Sequence, residues 1–387
     1  MRKESIVQDL RLLEHIPNNW EVVPFTLVVK DCSGGNIKLQ KGEYLQNGKF
    51  AVVDQGKEYI AGFSNSREAL VKHECPYVIF GDHTRLLKYI DFPFIMGADG
   101  VKVLKVLSEK KLTHRYLFFY LKSISIPNTG YNRHFKYLKE LKIPLPPLEE
   151  QKKIAAILDK ADKIRQINKD LIKKYDELTQ SLFIDMFGDP VTNPIGWEKI
   201  SLDNLGKITS GSTPSRKNEK YYNGNIPWVK TGEVNGRLIY DTEEKISEEG
   251  LNNSSCKLYP IDSIIIAMYG QGKTRGQVGV LGIKATTNQA CAVIPPSKDV
   301  DVVFVFKLLQ QSYDDLRLLG RGGNQPNINI GLIKNYQIIT PPLCLQQVFA
   351  KRVEAIEKQK AMAQESLNKS EDLFNSLMQK AFKGELQ

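Results

Sequence analysis

The feature that most constrains this chain is an internal repeat. Shifted by 195 residues, L-K-E-L-K-I-P-L-P-P-L-E-E-Q (138–151) falls on I-K-N-Y-Q-I-I-T-P-P-L-C-L-Q (333–346), with identities at Lys139/Lys334, Ile143/Ile338, Pro146/Pro341, Pro147/Pro342, Leu148/Leu343 and Gln151/Gln346. The register holds without a gap to Leu178/Leu373, Ser181/Ser376, Leu182/Leu377 and Phe187/Phe382. A second echo, offset by 177, pairs P-N-N-W-E (17–21) with P-I-G-W-E (194–198). Each half therefore runs from a P-x-x-W-E start, through a mixed region, to a Pro-Pro stop and a long helical segment. At 387 residues, each half is long enough to bury a core of its own.

The helical segments follow from elementary rules. Pro147 precedes a first turn holding Glu149 and Glu150, where carboxylates meet the positive helix end, and Gly188 with Pro190 provides the stop. Ile157, Ala161, Ile164, Asn168, Leu171, Tyr175, Leu178 and Leu182 alternate steps of four and three, as do Val353, Ile356, Lys360, Ala363, Leu367, Ser370, Phe374 and Leu377. That spacing predicts a heptad seam in each. Both apolar stripes are too narrow for a globular core element, so each helix is expected to pack on the other. Residues 149–187 would make a rod of roughly 58 Å, longer than the ~34 Å of one DNA turn.

The intervening regions read as β-rich. Strands are expected at 49–54, 77–81, 101–107, 226–231, 263–269, 278–283 and 290–294, rich in valine, isoleucine and aromatics and broken by glycine, with short helices at 113–123 and 302–312. The expected fold is thus α+β: two β-rich globular domains joined and separated by two long helices that form an antiparallel coiled coil. The divisions fall at 1–148, 149–187, 188–342 and 343–387.

Composition narrows the function classes. Five scattered cysteines without a C-x-x-C pair suggest neither a disulfide framework nor a zinc knuckle. The start M-R-K-E-S-I-V-Q-D-L lacks a signal-peptide core, and no apolar run reaches membrane-spanning length, so a cytoplasmic protein without membrane contact is expected. The net charge of +10 points toward a polyanion, and most of it sits in residues 1–148, with 22 Lys/Arg against 15 Asp/Glu.

Catalytic signatures are sparse. Ala267 to Thr274, A-M-Y-G-Q-G-K-T, passes a loose form of the nucleotide-phosphate loop, which would make the chain an NTP-binding enzyme. Such a loop needs a helix directly behind its lysine, yet R-G-Q-V-G-V-L-G follows and reads as turn and strand. No G-x-G-x-x-G follows a strand, N-P-P-Y is absent, and all five histidines lie within residues 15–134. His83 beside Asp82 could be a base or a plain polar loop residue. No metal site, cofactor or catalytic centre is expected.

What both halves do offer is loop chemistry suited to DNA, since arginine and lysine can fork onto guanine edges and asparagine and glutamine pair with adenine. In the first half these groups lie in G-D-H-T-R-L-L-K (81–88) and N-T-G-Y-N-R-H-F-K (128–136). In the second they lie in 210–218, 228–233, 269–277, Asn288-Gln289 and 320–327. The candidate DNA-binding residues are Asp82, His83, Thr84, Arg85 and Arg133, with Lys230, Tyr269, Gln271, Lys273, Arg275, Arg321 and Asn324.

The layout resembles the specificity subunit of type I restriction–modification systems across essentially the whole chain. The resemblance rests on the two Pro-Pro-Leu-x-x-Gln helix starts, S-G-S-T-P-S-R (210–216), Y-Y-N-G-N-I-P-W-V-K-T-G-E (221–233), M-Y-G-Q-G-K-T-R-G-Q-V-G (268–279), T-N-Q-A (287–290), and the runs G-K-F-A-V-V-D-Q-G and V-I-F-G-D-H-T-R. It implies two target-recognition domains, each reading one half of a split, asymmetric duplex sequence, and two helices that set the gap. It also implies a non-catalytic subunit that docks two methyltransferase subunits and, through them, an ATP-consuming restriction translocase. At the second helix start, Cys344 and Leu345 stand where the first has Glu149 and Glu150. The competing readings are the NTP-binding enzyme and a coiled-coil scaffold without DNA contact.

Overall fold

The structure is a computed structural model that describes residues 16–130, 132–320 and 327–386. It comprises two compact units, Met1–Lys169 with Glu365–Gln387, and Asp170–Gln364. Each unit contains one β-rich region and a portion of both long helices.

The first unit holds two four-stranded sheets. One runs Val29–Asp31, Val101–Val106, Tyr77–Gly81, Leu87–Ile90, and the other Lys38–Leu39, Phe94–Gly97, Phe50–Val53, Gly62–Ser64. The second unit holds a five-stranded sheet in the order Thr209–Ser210, Cys291–Ile294, Ile264–Ala267, Val278–Leu281, Leu238–Ile239, and a three-stranded sheet centred on Ile226–Val229. All seven expected strands form, as do the short helices, at His114–Ser123 and Val302–Gln311. Thr113 caps the first by accepting the Tyr116 N–H, and Asp301 caps the second by accepting those of Val303 and Phe304.

The repeat becomes a shared frame. In each half the segment after the P-x-x-W-E tryptophan pairs antiparallel with the strand leading to Pro-Pro: Glu21–Pro24 with Lys142–Leu145, and Lys199–Ser201 with Gln337–Ile339. The helices run Leu148–Phe187 and Leu343–Phe382. Each ends in a left-handed glycine, Gly188 (φ 74°) and Gly384 (φ 73°), where a bulkier residue would meet Pro194 and Pro17 respectively, the prolines that open the two P-x-x-W-E segments.

Within each unit the two helices pair antiparallel. In the first, Lys169 pairs with Glu371 at 3.0 Å, Asn168 donates to the Ser370 hydroxyl at 3.4 Å, and the Arg165 guanidinium lies 4.4 Å from the Phe374 ring centre. In the second, Lys360 pairs with Asp176, and Phe183 and Phe187 contact Phe349 edge-on. All eight expected seam residues of the second helix are buried or half-buried.

The first helix requires a correction: Ile164 and Leu178 are each 49% exposed. The buried stripe passes instead through Leu158, Ala161, Arg165, Asn168, Ile172, Tyr175 and Thr179. Two seam positions carry polar residues whose side chains are satisfied locally. Arg165 pairs with Asp162 while covering Phe374, and the Thr179 hydroxyl donates to the Tyr175 carbonyl at 3.1 Å. A second correction concerns the helix ends, which do enter globular cores. Ile154, Leu158 and Phe382 join Trp20, Phe80 and Tyr116 in one, and Phe183, Phe187 and Phe349 join Phe304 and Ile339 in the other.

Candidate nucleic-acid interface

In the first unit, the turn between Tyr77–Gly81 and Leu87–Ile90 is closed by the Arg85 N–H on the Gly81 carbonyl (2.7 Å) and the Gly81 N–H on the Leu86 carbonyl (2.8 Å), with Arg85 left-handed at φ 62°. Gln55 pins this turn. Its side-chain oxygen accepts the His83 N–H at 3.1 Å, its backbone carbonyl accepts the Thr84 hydroxyl at 2.7 Å, and its amide donates to the Asp99 carbonyl at 2.8 Å. His83 reaches the neighbouring loop, its ring Nδ1 lying 3.2 Å from the Asn132 carbonyl oxygen. Arg85 donates to the Ile126 carbonyl at 3.2 Å.

Asp82 is buried and turned inward. Its carboxylate accepts the Phe135 N–H at 2.7 Å and its carbonyl accepts the His134 N–H at 2.8 Å. The His134 Nδ1 lies 2.9 Å from that same carbonyl and must be its donor, which leaves Nε2 to accept from the Thr129 hydroxyl at 3.3 Å. Asp82 therefore ties the 81–86 turn to the 128–136 loop, while Thr84 and Arg133 are exposed on that rim. Arg133, Lys38, Lys102 and Asn36 line a cavity of about 350 Å³ together with Asp31 and Asp99. Its lysines are partnered, Lys102 with Asp31 at 2.9 Å and Lys38 with Asp99 at 3.5 Å. Burial pushes the Asp31 carboxyl up, but hydrogen bonds from Ser33 and Lys102 outweigh it and hold it below the usual carboxylate range.

In the second unit, Ile264–Ala267 and Val278–Leu281 are antiparallel partners, with Ile266 opposite Val278. Residues 268–277 are thus a hairpin loop, and a strand stands where a phosphate loop would need a helix. Tyr269, Gln271 and Lys273 are exposed on it, and Arg275 is half-buried. The Met268 N–H donates to the Ala290 carbonyl at 2.8 Å, and the Met268 carbonyl accepts from Ile328 at 3.1 Å. Asn288 joins the same rim through hydrogen bonds with the Thr231 hydroxyl, the closer at 3.1 Å, and Gln289 through Thr213. The sequence runs 210–213, 228–233, 268–277 and 287–290 therefore converge. Arg321 and Asn324 lie outside the described residues.

Lys230 is held by Glu243 at 2.7 Å and Glu244 at 3.1 Å, and these hydrogen bonds keep its pKa above the ordinary lysine value. Glu244 also pairs with Arg216, whose guanidinium stacks 4.2 Å from Tyr222 and 5.0 Å from Trp228. Sequence reading missed Gln55 and Arg216. Gln55 lies in G-K-F-A-V-V-D-Q-G (48–56), but its role is to bond backbone groups 28 to 44 residues away, which no local pattern displays. Among the described residues no cluster of three His, Cys, Asp or Glu could hold a metal ion, and no helix is long and apolar enough to cross a membrane.

Two β-rich modules, each built on its own copy of the same frame and each with a differently furnished polar rim, define a duplicated recognition protein. This chain belongs to the type I restriction–modification DNA specificity family, whose DNA specificity domain model matches residues 17–175 and again 194–371. It is 24% identical over 368 residues to the type I restriction enzyme EcoR124I/EcoR124II specificity subunit of Escherichia coli, covering 90% of this chain and 88% of that protein. Identity to the type I restriction enzyme MjaIX specificity subunit of Methanocaldococcus jannaschii is 26% over 416 aligned positions, covering 96% and 94%. The fold is similar to the crystal structure of the type I restriction–modification system S subunit from M. genitalium, with a TM-score of 0.59 at 17% identity, over 94% of this chain and 96% of that one. The hairpin at 268–277 and the family match leave the NTP-binding and bare-scaffold readings unsupported.

Proposed function

We propose that residues 1–148 and 188–342 each read one half of a bipartite, asymmetric duplex DNA target, and that 149–187 and 343–387 set the distance between the halves. The chain works without a cofactor or catalytic centre of its own. It docks two methyltransferase subunits in the cytoplasm and, through them, restriction translocase subunits. DNA contacts are assigned to Thr84, Arg85, His83 and Arg133 in the first module and to Tyr269, Gln271, Lys273, Arg275, Arg321 and Asn324 in the second. Asp82 and Lys230 act from behind, through the backbone and carboxylate partners described above.

The observation that carries this reading is the contrast between frame and rim. The antiparallel strand pair that leads to Pro-Pro and the long helix behind it recur in both halves, whereas the rims differ: a Gln55-pinned turn with Thr84 and Arg133 in one, a hairpin with Lys273 and Arg275 in the other. A reader of two unlike half-sites requires that difference. The test is to exchange residues 188–342 for the corresponding module of another specificity subunit and map methylated adenines genome-wide. One half of the methylated sequence should change and the other persist; an unchanged target excludes the two-reader arrangement.

A further inference from the structure

Behind the 268–277 hairpin lies the short helix Tyr313–Leu318, and two of its side chains, one turn apart, grip the loop by its backbone. The Tyr313 hydroxyl donates to the Lys273 carbonyl at 2.6 Å. Arg317 Nη1 donates to the Gly272 carbonyl at 2.8 Å and to the Tyr313 oxygen at 2.7 Å, with the Arg275 carbonyl at 3.3 Å. Three carbonyls within four residues are thus fixed from one side. The Arg317 side chain reaches them because Gly276, left-handed at φ 83°, leaves room: a Cβ there would stand 2.9 Å from Arg317 Cγ.

The consequence is directional. Carbonyls at 272, 273 and 275 point toward the helix, and the Lys273 side chain is exposed. Without the grip, a glycine-rich loop with Gly270, Gly272 and Gly276 all at positive φ would sample many backbone states, and ordering it on binding would cost affinity. Neither Tyr313 nor Arg317 belongs to the DNA-contacting set above.

We propose that Tyr313 and Arg317 are positioning residues for reading the second half-site, pre-setting the backbone from which Lys273 and Arg275 are presented. This rests on the reading that the 268–277 loop meets DNA. The preference resides in the loop's order, so it is selectivity at one half-site that depends on them.

The test uses the full chain assembled with its methyltransferase subunits, on duplexes carrying the mapped target or a single base change in one half. Arg317→Lys keeps the charge on an ammonium that ends one bond short of the place Nη1 holds among the Gly272 and Arg275 carbonyls, and Tyr313→Phe keeps the ring while removing the hydroxyl that donates to Lys273 and accepts from Arg317. Each should weaken binding to the intact target about 10-fold, as expected for losing hydrogen bonds that order a contact loop. Discrimination against second-half changes should shrink while discrimination against first-half changes stays at wild-type level. A purely structural role would erode both halves or neither. If Lys273→Ala with Arg275→Ala lowers second-half discrimination and neither Tyr313→Phe nor Arg317→Lys does, the positioning role is overturned while the DNA reading stands. If the double variant also leaves discrimination unchanged, both fall. Should Arg317→Lys fail to fold, Tyr313→Phe alone gives the same decision.

Discussion

The side-chain oxygen of Gln346 accepts the N–H of Asp301 at 2.9 Å while its amide donates to the Pro341 carbonyl at 2.8 Å. Gln151 does the same in the other half, accepting from Thr113 at 2.9 Å and donating to Pro146 at 2.9 Å and Lys111 at 2.8 Å. Thr113 and Asp301 are the caps of the two short helices. One buried amide in each half therefore joins a helix cap to the Pro-Pro stop, which is a physical reason for glutamine at that position of the repeat. Replacing either with leucine strands the N–H of a helix cap together with one carbonyl at Gln346 or two at Gln151. Gln346→Leu should cost about 2–4 kcal/mol, read as a lowered denaturant midpoint; an unaltered midpoint would show that water replaces the amide.

The two readings of the first helix, by sequence spacing and by burial, make opposite forecasts. Phe183, outside the spacing-based seam, is fully buried against Phe187, Phe304 and Phe349, so Phe183→Ala should destabilise by roughly 3–5 kcal/mol. Leu178→Ala, which the simple apolar seam would make nearly as damaging, should stay within about 0.5 kcal/mol. Thermal unfolding of both variants separates them, and a large loss at Leu178 would restore the spacing-based seam.

How much could be read in advance follows from where the information lies. The strands, short helices and long helices are local patterns, and their residues announced them: valine and isoleucine runs at 77–81 and 264–267, glycine and proline at 188–190. The seam of the first helix was misplaced at Ile164 and Leu178, because burial there falls on Arg165 and Thr179, whose polarity hides what they pack against. The rims were legible as loops with the right chemistry, but not their supports. Asp82, a DNA-binding candidate by sequence, is buried with its carboxylate on the Phe135 N–H; Lys230, a candidate likewise, is held by two glutamates. Both facts depend on partners 10 or more residues away.

His114 predicts a pH dependence. It is buried, its Nε2 accepts the Val106 N–H at 3.0 Å, and Nδ1 faces Glu109. An acceptor at Nε2 requires the neutral ring. Burial lowers its pKa below the ordinary 6.5, and although the Glu109 carboxylate raises it, the net shift is downward. The unfolded ring titrates near the ordinary value, so as pH falls through about 6.5 the unfolded state takes up the extra proton and stability declines. Above that value this contribution is fully present. His114→Gln, which retains an acceptor for Val106 and cannot protonate, should flatten the decline between about pH 7 and pH 5; denaturant midpoints across that range measure it, and an identical pH profile would remove His114 as its source.

Lys273 and Lys230 sit on the same module and should differ in what they contribute to DNA affinity. Lys273 is exposed at the tip of the hairpin, whereas Lys230 is already neutralised by Glu243 and Glu244. A lysine that meets a phosphate displaces condensed cations and adds about one to the steepness of the log affinity against log salt plot. Lys273→Ala should therefore lower that slope by about one for the assembled complex on any duplex, target or not. Lys230→Ala should leave the slope where it was, since the alternative to its glutamate partners is a charge that DNA has not been given. Titrations at four or five salt concentrations decide between them. Equal slopes for wild type and Lys273→Ala would move that lysine from the phosphate backbone to a base edge, where its loss would instead relax the sequence preference at one position of the second half-site.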